Sequence, residues 1–330
     1  MFDLQLEYVA EWIRSRKHHS VALQIPEGLK SKATDIVDFL ALNTDANFII
    51  SGDPCYGACD VFHNFKDIAD ALVHFGHSPI QNLQAERDVL FVEALCHVDI
   101  KENLRKNINE IPEKVGLLAT LQYIECIEQA REILEKYGKK VIIERGDGRT
   151  CYPGQILGCN CSSAESVSQR VDAFIFIGEG NFHPLTVALH TGKKVFVFDP
   201  FTGELRNVDA IKDRILRKRF AVIQNAKVAE RFLVIICSKI GQRRDTVAEN
   251  IIKKIQESGK KAYKAYMDEL TPQNLIAYHV DAFISTGCPR IAIDDYLRYN
   301  KPILTPVEAE IALGLRKWDD YAFDIIRSIS

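Results

Sequence analysis

Nine cysteines stand in this 330-residue chain. Five of them fall in three polar, glycine-containing stretches, "SGDPCYGACD" (51–60), "GQILGCNCSS" (154–163) and "ISTGCPRI" (284–291). Thiolates in such loops are ligands for iron or zinc. Structural zinc sites usually pair their cysteines as C-x2-C, and that spacing occurs nowhere in the chain. Isolated cysteines from separate loops suit a four-iron cluster held by three thiolates, its fourth iron left open to a small molecule. Cys59, Cys159 and Cys288 are the candidate ligands. Cys55, Cys151 and Cys161 lie in the same kind of loop, so composition alone leaves Cys55 or Cys161 open as the true ligand. Cys96, Cys126 and Cys237 sit in or beside apolar stretches and read as small buried hydrophobes.

Elements that could bring distant loops together are written three times. The phrases "IADALVHFGHS" (68–78), "RVDAFIFIGEG" (170–180) and "HVDAFISTGCP" (279–289) each read as a helix end, a short apolar strand and a glycine turn. Ahead of each comes a strand, a loop and an amphipathic helix, then a second strand in "ANFIIS", "KKVIIE" and "KKAYKAY". A fourth strand follows in "DVLFVEAL", "KKVFVFDP" and "KPILTPVE". This pattern predicts an α/β fold of three similar units, each a short parallel sheet flanked by helices, arranged around a central cluster site. The units run over residues 1–100 with Cys59, 101–205 with Cys159 and 206–330 with Cys288. Their joints are the polar helices "KENLRKNINEIPEK" and "TGELRNVDAIKDRILRKRF".

On that repeat all three cysteines lie where strands run into helices, the side on which open parallel sheets bind ligands. Cys59 precedes a helical "DVFHNFKDIAD", Ser162 and Glu165 fit a capping box, and Pro289 suits the first turn of a helix after Cys288. Helix N-termini stabilise thiolates and anionic clusters.

Other classes are disfavoured by composition. The chain is 47% hydrophobic, with net charge −3 and interleaved signs, which gives no footprint for direct nucleic-acid binding. Its one basic cluster, Arg214, Arg217, Lys218 and Arg219, reads as a solvated helix face. No apolar run approaches the roughly 20 residues of a membrane helix, and the N-terminal stretch reads as an amphipathic helix, not a signal peptide. A soluble cytoplasmic protein with reduced thiols is expected. "GEGNFH" (178–183) has His183 where a dinucleotide fingerprint needs glycine, and no phosphate-binding P-loop exists. His74, His77 and His183 end or follow strands within reach of a ligand, though a core or loop histidine is the commoner role.

Through "GDPCYGACD", "PGQILGCN", "FIFIGEGNFHPL", Asp199–Pro200, "KIGQR" (239–243) and "GCPRIAIDD", nearly the whole chain resembles the archaeal enzyme family of the first step of diphthamide biosynthesis. The resemblance implies three similar α/β domains that each give one ligand to a [4Fe–4S] cluster: Cys59 in "YGAC", Cys159 in "LGC" and Cys288 in "GCPR". It also implies cleavage of S-adenosylmethionine between sulfur and the methionine γ-carbon. The 3-amino-3-carboxypropyl group passes to a histidine of translation elongation factor 2, and methylthioadenosine is released. A homodimer and an electron donor are implied as partners. The C-x3-C-x2-C of ordinary radical enzymes is absent, since Phe62 stands where its third cysteine would be.

Arginine clamps carboxylates bidentately, so Arg290 beside Cys288 and the turn carrying Lys239, Gln242 and Arg243 are candidates for the methionine end of the cofactor. Gly178, Glu179, Asn181 and His183 of the second glycine turn are further candidates for binding S-adenosylmethionine. Two competing readings are a quinolinate-synthase-like dehydratase, which also has three units and three cysteines, and a zinc-stapled interaction protein. Colour separates the last, since a cluster makes the protein brown.

Overall fold

The computed structural model describes residues 2–80 and 87–328. Short runs rich in β-branched and aromatic residues form its strands. The first sheet contains β1 (Ser20–Gln24), β2 (Asn47–Ile50), β3 (Ala71–Phe75) and β4 (Val89–Val92), in the order β2-β1-β3-β4. The second contains β5 (Lys114–Ala119), β6 (Lys140–Ile142), β7 (Ala173–Ile177), β8 (Lys194–Phe198) and β9 (Leu205–Asn207), ordered β6-β5-β7-β8-β9. The third contains β10 (Arg231–Cys237), β11 (Lys261–Met267), β12 (Ala282–Ser285) and β13 (Ile303–Leu304), ordered β11-β10-β12-β13. All pairings are parallel except β8 with β9. The α/β class with three mostly parallel sheets is thus the one the repeat predicts. The antiparallel β9 was not foreseen, and because it extends the second sheet to Asn207, a boundary at 205 cuts through a strand.

Each sheet is covered on both faces, which is why its strands read as apolar runs without alternation. In β7, Ile175 and Ile177 join one buried cluster while Phe174 and Phe176 join another on the opposite face. In β10, Phe232, Val234 and Ile236 face one cluster, and Leu233 and Ile235 the other. Burying each such side chain contributes about 1.5–3 kcal/mol. The sheets therefore have apolar cores of their own.

Three expectations change. "DVFHNFKDIAD" is not an α-helix but two single turns, Ala58–Asp60 and Phe65–Asp67. The reason is Gln24 beneath it, whose Nε2 donates to the Asp60 carbonyl and whose Oε1 accepts from the Phe62 N–H, taking the groups a helix would use. The capping box at Ser162 does not form: the helix Ser162–Val167 has Cys161 at its cap. Ser162 Oγ instead donates to Asn160 Oδ1 at 2.7 Å, and Glu165 pairs with Arg327. Finally, Arg219 is no part of a solvated face: it is fully buried, while Arg214, Arg217 and Lys218 remain exposed.

After the third sheet the chain returns to the second. Ile326 N donates to the Cys159 carbonyl at 2.7 Å, and Asn160 Nδ2 donates to the Ile326 carbonyl at 2.9 Å. Among the described residues no helix is long and apolar enough to cross a membrane.

Candidate functional site

The carboxyl ends of the three sheets meet around one cavity of about 300 Å3 whose wall includes Cys59, Cys159 and Cys288. Cys59 sits in the turn Ala58–Asp60, preceded by Gly57, where a Cβ would press on the Cys59 sulfur at 3.3 Å. Cys159 lies in the loop before the helix Ser162–Val167, with its carbonyl held by the returning tail. A side chain at its neighbour Gly158 would run into the Phe182 ring. Cys288 caps the helix Pro289–Ile293, which Pro289 starts as the sequence suggests.

Gln242 ties the Cys59 thiol to the backbone of Cys288. Its Nε2 donates to Cys59 Sγ at 3.2 Å and its Oε1 accepts the Cys288 N–H at 3.2 Å. The third cysteine has Arg149, which is buried: Nη2 donates to the Gly241 carbonyl at 3.0 Å and approaches Cys159 Sγ at 3.9 Å. Sequence reasoning missed Arg149. Its only signal is a charged residue in the glycine-rich loop ahead of Cys159, at a mouth that already holds one candidate.

Burial pushes the Cys288 thiol up to about 12, with the neighbouring Cys159 adding to the effect. Burial also drives Cys59 well above the ordinary thiol range, helped by Asp60 and the other two cysteines. Cys59 and Cys288 therefore ionise here only against compensating positive charge, which is what metal supplies. A single ion about 2.3 Å from each thiolate would draw the sulfurs to roughly 4 Å of one another. Among the described residues, the set of at least three metal-ligating side chains whose donor atoms all lie within 4.8 Å is another one, Cys55, His74 and His77. Cys59, Cys159 and Cys288 are not such a set, so as placed they do not close on a single ion. Cys161 points away, into an apolar cluster with Leu118, Ile156 and Ala164, and Cys55 is buried outside the cavity wall.

The other candidates divide. Arg290 and His183 line the cavity. Arg290 lies over the Phe182 ring at 4.5 Å and donates to Asp294, with half its side chain exposed. Burial holds His183 down to about 4, with Arg290 contributing, so the imidazole is neutral. Glu179 lies in an adjoining cavity of about 280 Å3 that shares His77, Gln122 and His183 with the first, and it accepts from Tyr123 Oη at 2.9 Å. Gly178 makes the turn after β7 at φ 148°, and Asn181, at the cap of the helix Phe182–Thr191, accepts from Arg206.

Lys239 and Arg243 do not line either cavity. Lys239 is turned to Asp60 at 2.8 Å and Glu269 at 2.5 Å, a bridge between the first and third units. Arg243 is exposed and paired with Asp245.

Three mostly parallel sheets that each bring one cysteine to a common pocket define the class: an α/β protein with three cysteines gathered at the junction of its units. A family model, the diphthamide synthesis protein, matches residues 25–322. The 2-(3-amino-3-carboxypropyl)histidine synthase of Pyrococcus horikoshii is 40% identical over 311 residues, 93% of this chain and 88% of that protein. The synthase of the same name from Methanocaldococcus jannaschii is 29% identical, covering 99% and 94%. A crystal structure of Dph2 from Pyrococcus horikoshii with a 4Fe-4S cluster superposes with a TM-score of 0.91 at 36% identity, covering 99% of this chain and 95% of that one. The chain belongs to the diphthamide synthesis protein family, and it is an enzyme of that pathway.

Proposed function

We propose that the chain transfers the 3-amino-3-carboxypropyl group of S-adenosylmethionine to a histidine of translation elongation factor 2, using a [4Fe–4S] cluster held by Cys59, Cys159 and Cys288. The observation that carries this is the convergence of those three half-buried cysteines, one from each unit, on one cavity. When bound, the cluster supplies a low-potential electron for opening the sulfur to γ-carbon bond of the sulfonium.

The chain's own residues bind and orient. Gln242 fixes the sulfur of Cys59 and the backbone of Cys288 relative to each other. Arg290, half exposed on the cavity rim, offers its guanidinium to the methionine carboxylate. Neutral His183 adds a hydrogen-bonding wall without adding charge. The adjoining cavity with Glu179 offers room and an acceptor for the nucleoside end. Lys239 and Arg243, which line neither cavity, are set aside for this role. A macromolecular substrate needs an open mouth, and the reading takes the elongation factor to approach from the Arg290 side. A homodimer and an external electron donor belong to the same reading.

Anaerobic incubation of the reduced holoenzyme with S-adenosylmethionine and elongation factor 2 is expected to add one aminocarboxypropyl mass to the factor, localised to a single histidine by tandem mass spectrometry. An unmodified factor under conditions where the cluster is intact and reduced would count against the reading.

A further inference from the structure

Beside the three-cysteine cavity, and reaching its wall through His77, stands a second group of candidate ligands to which the transferase reading gives no role. Cys55, His74 and His77 each offer one ligand atom, and all three atoms lie within 4.8 Å of one another. His74 and Cys55 are buried at 0% and 1% exposure. Cys55 comes from the loop that carries Cys59, His74 from β3 and His77 from the turn just after it.

The orientation of His74 is fixed by its neighbour. Gln24 Nε2 donates to the Asp60 carbonyl at 2.6 Å, and its Oε1 accepts the Phe62 N–H at 2.9 Å, which settles which end of the amide is oxygen. That same oxygen lies 2.8 Å from His74 Nδ1, so Nδ1 carries the proton. Nε2 is then left with its lone pair, 2.9 Å from His77 Nδ1. A histidine whose one N–H is spent on an amide oxygen while its other nitrogen faces a second imidazole, in a group completed by a nearby thiol, is the arrangement of a metal-ligating histidine. The donor set is one thiolate and two imidazoles, borderline in softness, with a fourth tetrahedral position left for water.

We propose that Cys55, His74 and His77 form a mononuclear zinc site, separate from the three-cysteine centre, that staples the Cys59 loop to the end of β3. Binding takes up one Zn2+ and releases the Cys55 thiol proton, while the proton on His77 moves to whichever ring nitrogen does not bind. No oxidation or reduction is involved. The staple joins residue 55 to residues 74 and 77, so it restrains the turn that presents Cys59 without itself touching the cluster ligands.

Full-length, cluster-loaded protein is dialysed anaerobically against micromolar buffered zinc, and zinc and iron are measured together. Expected are about one zinc per chain beyond the cluster iron, and an X-ray absorption spectrum with one sulfur at about 2.3 Å and nitrogens at about 2.0 Å. The near-isosteric Cys55→Ser and the less buried His77→Gln are both expected to weaken zinc binding by at least about tenfold while iron stays at the wild-type level. Wild-type protein that takes up no zinc would overturn the proposal, as would zinc uptake unchanged in both variants or a coordination shell without sulfur. Iron that leaves together with zinc in Cys55→Ser would make Cys55 a cluster ligand, which also overturns it. Iron lost in Cys59→Ala with zinc retained leaves the zinc site standing on its own evidence.

Discussion

Alanine at Cys59, Cys159 or Cys288 is expected to strip most of the iron and sulfide from anaerobically purified protein and to lower transfer activity by more than about 100-fold, beyond the range of outer-shell changes around metals. Each of these thiols comes from a different unit, so no neighbouring residue can replace it without moving a sheet. The alternatives are unsuited: Cys161 is packed among apolar side chains and Cys55 lies outside the cavity wall. Cys55→Ala and Cys161→Ala should therefore keep their iron. Circular dichroism should show the fold intact in all five variants, because the thiols sit at the rims of sheets with cores of their own. If Cys161→Ala or Cys55→Ala lost iron as completely as Cys59→Ala, the ligand assignment would be wrong.

The second large effect lies away from the cavity but bears on it. Arg219 is fully buried and forks onto Glu308, with Nε to Oε1 at 2.7 Å and Nη2 to Oε2 at 2.6 Å. It also donates to the carbonyls of Ala292 at 2.6 Å and Ile303 at 2.8 Å. One guanidinium thus locks the helix Asp209–Ala226 to the edge of the third sheet and to the short helix that Cys288 caps. Arg219→Met leaves the Glu308 carboxylate in the core without its counter-charge, with only the Thr305 N–H and the Tyr321 hydroxyl donating to it, which costs about 3–5 kcal/mol. Denaturant unfolding checks this. The double change Arg219→Met with Glu308→Leu should recover most of the loss, short of about 1 kcal/mol for the broken Thr305–Glu308 cap. A single variant within about 0.5 kcal/mol of wild type would contradict the account of this pair, since only surface changes are that mild.

Sequence and structure agree where the determinants are local. Twelve parallel strands were legible because the inner ones are apolar runs and the same order of strands recurs from unit to unit, which placed even the polar edge strand β11, and "AFIFI" or "FLVIIC" has no stable place except inside a sheet covered on both faces. The three cysteines were legible as a set from their loops, and the choice among neighbours came from longer phrases. What escaped depends on partners far away in the chain. β9 has no apolar signal, being held by edge pairing to β8. The helix expected after Cys59 is dismantled by Gln24, more than thirty residues earlier. Lys239 is drawn from the cavity by Asp60 of the first unit, and Arg219 is buried by Glu308. Arg149 belongs to the site only because the second and third units meet there.

The nucleoside left after a single turnover tests the transferase chemistry most directly. Dithionite-reduced holoenzyme is mixed anaerobically with S-adenosylmethionine and elongation factor 2, and the small-molecule fraction is resolved by liquid chromatography with mass detection. Binding of the methionine end toward the three-cysteine centre turns the γ-carbon inward, so methylthioadenosine is expected, in step with modified factor and absent without reductant. 5′-Deoxyadenosine as the main product, or full transfer without any reductant, would contradict it.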